Sequence, residues 1–143
     1  MELTRETVYK IYKTIKGLDS KVYNKYFLLA CSINKKYLEP LIEIIEKKAS
    51  DIYTSNFVSF KTSYDFLVNE YQSNPNVETE TKLNTLINEN KEIIEEHQKR
   101  DLEFSVWVKE IVNVDVKQIS FDHVPDELEK DVFDSLVVLF QEQ

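Results

Sequence analysis

Two histidines carry the most direct chemical suggestions in this chain. His97 and Asp101 stand four apart in a helical pattern and so share a face, the spacing of a two-ligand metal site or of a hydrogen-bonded pair. Two ligands do not complete a site, and the position four beyond His97 is Asp101, so the HExxH metalloprotease pattern is absent. A hydrogen bond on a helix surface or in a helix seam is the favoured reading. Asp122-His123 precedes Pro125 in a turn. The pair has proton-transfer chemistry, but no nucleophile or oxyanion donor accompanies it, and a capping role fits better. Cys31 follows the apolar run Phe27-Leu28-Leu29-Ala30, which reads as a small buried residue rather than a nucleophile. The 26 Asp and Glu are so abundant that no pair stands out, and most fall on outer helix faces in arrangements such as Glu43–Lys47. Gly17 is the only glycine, which excludes Gly-rich phosphate loops, dinucleotide fingerprints and nucleophile elbows. No catalytic residue, metal ligand or cofactor is assigned on these grounds, and the chain reads as a non-enzyme.

A net charge of −8 over 143 residues argues against duplex nucleic acid as a partner, since phosphate neutralisation needs Lys and Arg clusters. It is compatible with solubility alone, with a basic protein partner, or with mimicry of nucleic acid. A single cysteine allows no internal disulfide and fits a reducing cytosol. The opening residues Met1 to Glu6 are polar, unlike a signal peptide, and no apolar run approaches the ~20 residues that span a bilayer.

The elements follow from the spacing of apolar residues. Thr4 caps a first helix, with Val8, Ile11, Tyr12 and Ile15 on one stripe and Gly17 at its end. A second helix, capped by Asp19 or Ser20, buries Val22, Tyr26, Leu29, Ala30 and Ile33, with Phe27 alongside. Asn34 to Lys36 reads as a break, because Pro40 belongs in a first helical turn and so starts a long helix near Lys36 or Tyr37. The periodicity then predicts two arms of a long antiparallel hairpin over 36–111. The first carries Tyr53, Phe57, Phe60, Tyr64, Leu67 and Tyr71. The second carries Leu83, Ile87, Asn90, Ile94, His97, Asp101, Phe104, Val108 and Ile111, stepping by alternating fours and threes. Poor helix formers at Thr54 to Ser63 predict a kink near Ser55-Asn56. A turn at Ser73-Asn74-Pro75-Asn76 sets Tyr71 near Leu83, Phe57 near His97, Tyr64 against Asn90 and Tyr53 against Asp101. The polar seam residues Asn90 and Asp101 would each meet a phenol. An unpartnered buried polar group costs ~1–3 kcal/mol, which favours such pairing.

Past the seam the period changes. Val112, Val114 and Val116 alternate with polar residues, and Ile119 and Phe121 continue on the other parity, which predicts a strand over 112–121 with a bend at Lys117-Gln118. Asp126 then caps a last helix over 126–141, with Leu128, Val132, Phe133, Leu136, Leu139 and Phe140 inward. The fold class is mainly α in a single domain: an N-terminal helix pair over 1–34, the hairpin, one C-terminal β-strand and a closing helix. A lone strand has two unsatisfied edges, leaving three arrangements: pairing with a second copy, strand addition by another protein, or an arm laid over helices. The interaction candidates are therefore Trp107, Val112, Val114, Asp115, Val116, Ile119 and Phe121.

Read together, Lys13-Thr14-Ile15-Lys16-Gly17, Asn34 to Leu41, Glu103-Phe104, Val112 to Ile119, Phe121 and Val124-Pro125-Asp126 resemble a set of small proteins encoded by tailed bacteriophages and prophages. The likeness spans most of the chain. It departs in the middle, where many members carry a longer insertion containing Gly and Asp and this chain has only Ser73 to Glu80. The resemblance implies a phage origin and brings no catalytic residues. The expected role is an accessory protein that binds a host or phage protein, for example to inhibit a defence component, as a homo-oligomer through the strand. A virion or tail assembly component and a nucleotide-sequestering anti-defence protein are the alternatives; for the last, Lys10, Lys13, Lys35 and Lys36 are the only suggestive basic residues.

Overall fold

A computed structural model describes residues 1–20 and 22–142. The protein is mainly helical, with a few short strands. It divides into two compact units. One holds Met1–Lys47 together with the chain from Val106 onward; the other is Lys48–Ser105.

In the first unit, strand β1 (Glu2–Thr4) leads into helix α1 (Arg5–Lys16). Thr4 caps α1 by accepting from the Thr7 N–H, and Gly17 closes it by donating its N–H to the Lys13 and Thr14 carbonyls. Helix α2 (Lys25–Ser50) is longer than the sequence suggests. Asn24 caps it, its side-chain oxygen accepting from Phe27 N–H at 2.9 Å. There is no break at Asn34 to Lys36, and Pro40 lies well inside the helix. Proline removes one backbone donor there, yet Phe27, Ala30, Cys31, Asn34, Leu38, Ile42 and Ile45 recur on one buried stripe on both sides of it. That continuous burial outweighs the local preference. The chain re-enters this unit at Val106, in the last turn of helix α5 (Lys91–Trp107), and continues into strand β2 (Ile111–Asn113). An extended stretch then leads to strand β3 (Ile119–Ser120), a 3-10 turn at Phe121–His123, helix α6 (Lys130–Leu136), a 3-10 turn at Val137–Leu139 and strand β4 (Phe140–Gln141). The core joins Val8, Ile11 and Ile15 of α1 to the α2 stripe and to Ile119, Leu136, Leu139 and Phe140.

Three expectations are corrected here. The strand expected over 112–121 is two short strands, and each has a partner within the chain. β2 pairs antiparallel with β1, with Leu3 opposite Val112, and β3 pairs parallel with β4, with Ile119 opposite Phe140. Glu2-Leu3-Thr4 contains one apolar residue, too few to register as a strand. The parity change at Lys117-Gln118 is real, because both residues are exposed between half-buried Val116 and buried Ile119; the chain leaves one sheet there and joins the other. The last helix is a single short piece, not 126–141. Beyond Leu136 it tightens into the 3-10 turn at Val137–Leu139, where Val137 keeps helical backbone, and the chain becomes extended only at Phe140, which packs as a strand residue.

In the second unit the hairpin is segmented. Helix α3 (Ser55–Ser73) is separated from α2 by a turn, and Thr54 caps it by accepting from Phe57 N–H at 3.2 Å. The interruption thus falls a few residues before Ser55-Asn56. Helix α4 (Val77–Glu89) starts at an Asn76 cap and ends at Asn90. The Asn90 side-chain amide donates to the Leu86 carbonyl at 2.8 Å, the acceptor its own backbone N–H would use in a continuing helix. The backbone N–H bonds Ile87 instead, and α5 starts afresh. The second arm is therefore two helices.

Candidate interaction surface

Helix α2 determines the surface of the first unit. It is apolar on two faces, and only one is used inside. Phe27, Cys31, Asn34 and Leu38 are buried, whereas Val22, Tyr26 and Leu29, expected inside, are turned out, Leu29 at 61% exposure. The stripe continues along the helix through half-buried Ile33 to Tyr37 at 55% and Ile44 at 56% exposure. Apolar residues on both faces leave the periodicity with two solutions; the one the fold takes buries the bulky Phe27 and the small Ala30 and Cys31. Tyr26 is partly used, its ring stacked on His123 at 5.0 Å. Towards the C-terminal half of α2, Tyr37, Pro40, Leu41 and Ile44 form one wall of a groove of about 570 Å³. Val112, Asn113, Val114 and Asp115 form the other.

The second wall is a strand edge. Val114 and Met1 exchange backbone bonds, each 2.9 Å, and Arg5 N–H donates to Glu110. In an antiparallel ladder bonded and non-bonded pairs alternate, so the peptide groups of Ile111, Asn113 and Asp115 point away from β1. No other strand among the described residues occupies that edge. Further along, the same side is closed by Asn34 of α2. Its amide donates to the Lys117 carbonyl at 2.8 Å and its carbonyl accepts from Lys117 N–H at 2.6 Å. A fully buried side chain thus does at Lys117 what a neighbouring strand would do.

The remaining interaction candidates are scattered. Val112, Val114 and Val116 are half-buried and Asp115 is exposed, but Ile119 is core. Phe121 packs edge-on against Phe140. Trp107 serves inside the unit: the Arg5 guanidinium lies 4.2 Å over its ring, donates to the Trp107 carbonyl at 2.9 Å and pairs with Glu110 at 2.7 Å. Sequence reasoning missed Asn34 and the outward face of α2. Asn34 lies on the spacing Phe27, Cys31, Asn34, Leu38, which marks it as a buried polar position.

In the second unit the seam register holds at one point. Phe57 and His97 stack at 3.5 Å with 2° between their planes, and His97 Nδ1 lies 3.2 Å from the Ile52 carbonyl. The expected phenol pairs do not form. Tyr53 packs on His97 at 5.2 Å and is 55% exposed, Asp101 is exposed, and Asn90 bonds its own helix while Tyr64 packs on Phe60. Tyr53 and Asp101 are exposed and Asn90 has a partner in its own helix, so the burial that would have favoured phenol pairing is not imposed.

Among the described residues, no group of three or more His, Cys, Asp or Glu could hold a metal ion, and no helix is long and apolar enough to cross a membrane. Burial pushes the Cys31 thiol up from 9.0 to about 12. The thiolate is the reactive form, so iodoacetamide at pH 8 should modify native Cys31 at least ~100-fold more slowly than in the urea-unfolded chain, measured by intact mass. The raised value also sets a sign for stability. Below pH 9 the thiol is protonated in both states. Above it the unfolded chain releases a proton that the fold retains, so this group lowers stability as pH rises towards 12.

The chain matches no family model, no curated protein and no solved structure. The functional reading therefore rests on the surface itself.

Proposed function

We propose that the protein is a non-enzymatic phage accessory protein that acts by binding another protein and so inhibits a host or defence component. The outward apolar face of α2, bordering the groove against residues 112–115, is the observation that carries this reading. Large apolar side chains aligned on one exposed helix face cost free energy in water that burial against a partner recovers, and a contiguous patch of this kind marks a binding surface. The acidic charge favours a partner with basic surface.

Affinity capture of the tagged protein from infected host cells, read by mass spectrometry, tests it. One dominant host protein, lost when Leu29 and Ile44 are both changed to Glu, is the expected result. Recovery with capsid or tail proteins would make this an assembly factor, and recovery of the chain alone would remove the reading.

A further inference from the structure

The geometry points to strand addition: the groove between α2 and β2 takes an extended, alternating apolar and basic segment of a partner protein, which pairs with the open edge of β2. The inference rests on the protein-binding reading and deepens it. The edge is available because the peptide groups of Ile111, Asn113 and Asp115 face away from β1. Asn34 supplies the internal precedent, since it already bonds both the N–H and the carbonyl of Lys117 on that same side. Beyond Asn34 the edge and the helix border an open groove, and Tyr37, Leu41 and Ile44 replace the polar contact with apolar wall.

The pleat dictates the partner's pattern. Val112 and Val114 are half-buried, whereas Asn113 and Asp115 are exposed. Side chains alternate across a strand, so an added strand sends every second side chain towards Tyr37, Leu41 and Ile44, where apolar groups gain most. The intervening ones lie beside Asn113 and Asp115. Among the described residues Asp115 is the only charged side chain lining the groove, and the chain carries −8 overall. Lysine or arginine belongs at those outer positions. A second copy of this chain would instead bring another net −8 to the same place.

The test uses the full chain and a fluorescein-labelled nonapeptide of alternating valine and lysine, read by fluorescence anisotropy. Saturable binding is expected, weakened about tenfold or more when lysine is replaced by glutamate or when Ile44→Glu is introduced. Asp115→Lys should reverse the preference between the two peptides. N-methylation of alternate peptide nitrogens gives two series, and only one should lose binding, because only one set of N–H groups faces β2. Ile44 is exposed, so its replacement leaves the core intact, which circular dichroism checks. Equal binding of both charge types, equal effects of the two N-methyl series, or no binding would overturn the proposal. A dimer in sedimentation velocity that Ile44→Glu dissolves would assign the groove to a second copy and overturn it too. If a captured host protein is retained by Ile44→Glu, this site fails while the protein-binding reading stands. If the peptide binds and no protein is captured, the reverse holds.

Discussion

Replacing Phe27 by Ala should destabilise the first unit by about 3–5 kcal/mol. Phe27 is fully buried at the start of the α2 stripe and meets Tyr23 edge-on at 5.6 Å. Its removal loses the transfer free energy of a benzyl group and leaves a cavity that a continuous helix cannot collapse to fill. Small domains are stable by about 5–15 kcal/mol in all, so the variant should unfold at markedly lower urea, with an unchanged slope if unfolding stays two-state. A midpoint shift worth under ~1 kcal/mol would show that the α2 stripe is not the centre of this core.

Asn34→Leu should have the next largest effect, about 2–3 kcal/mol. Leucine is close to asparagine in size, so the change removes hydrogen bonds with little change in volume. The Lys117 N–H and carbonyl lose their partners together, and water recovers only part of the loss because the Asn34 side chain is fully buried. A specific local readout separates this from a general packing defect: amide exchange at Lys117 should quicken far more than at Val8 or Ile11, whose helix does not depend on that contact. Uniform acceleration would show that Asn34 only fills space.

Local signals read the N-terminal part of the chain well. Thr4 and Gly17 mark the ends of α1 because a cap depends on residues within one turn of it. The Phe57–His97 stack was legible for a similar reason, since a seam register follows from periodicity and turn length. Three features depended on distant partners and were not legible. Leu3 becomes a strand residue only opposite Val112. Pro40 remains helical only because residues on both sides of it are buried by other elements. Tyr26 and Leu29 lie outside because Phe27 and Cys31, one face away on the same helix, fit the core better. For the candidate site, the valines at 112 and 114 and Asp115 were found from alternation alone. The α2 wall was missed because its residues satisfy the pattern of a core face as well as those that are buried.

The pairing of Met1 with Val114, 113 residues apart, has a consequence for how the chain reaches this fold. During synthesis the first 47 residues leave the ribosome long before the strand they pair with exists. Residues 48–105 are contiguous and can assemble alone in the meantime. Once they do, Lys48 and Phe104 line one hollow and are therefore held close together. The remaining search is then across a much shorter effective loop, and closure entropy grows with the logarithm of loop length. The helical segment thus acts as an internal clamp that speeds the meeting of the chain's two outer portions. Mutations that loosen its seam, such as those at Phe57 or His97, should slow folding of the first unit's core, which measured refolding rates would check.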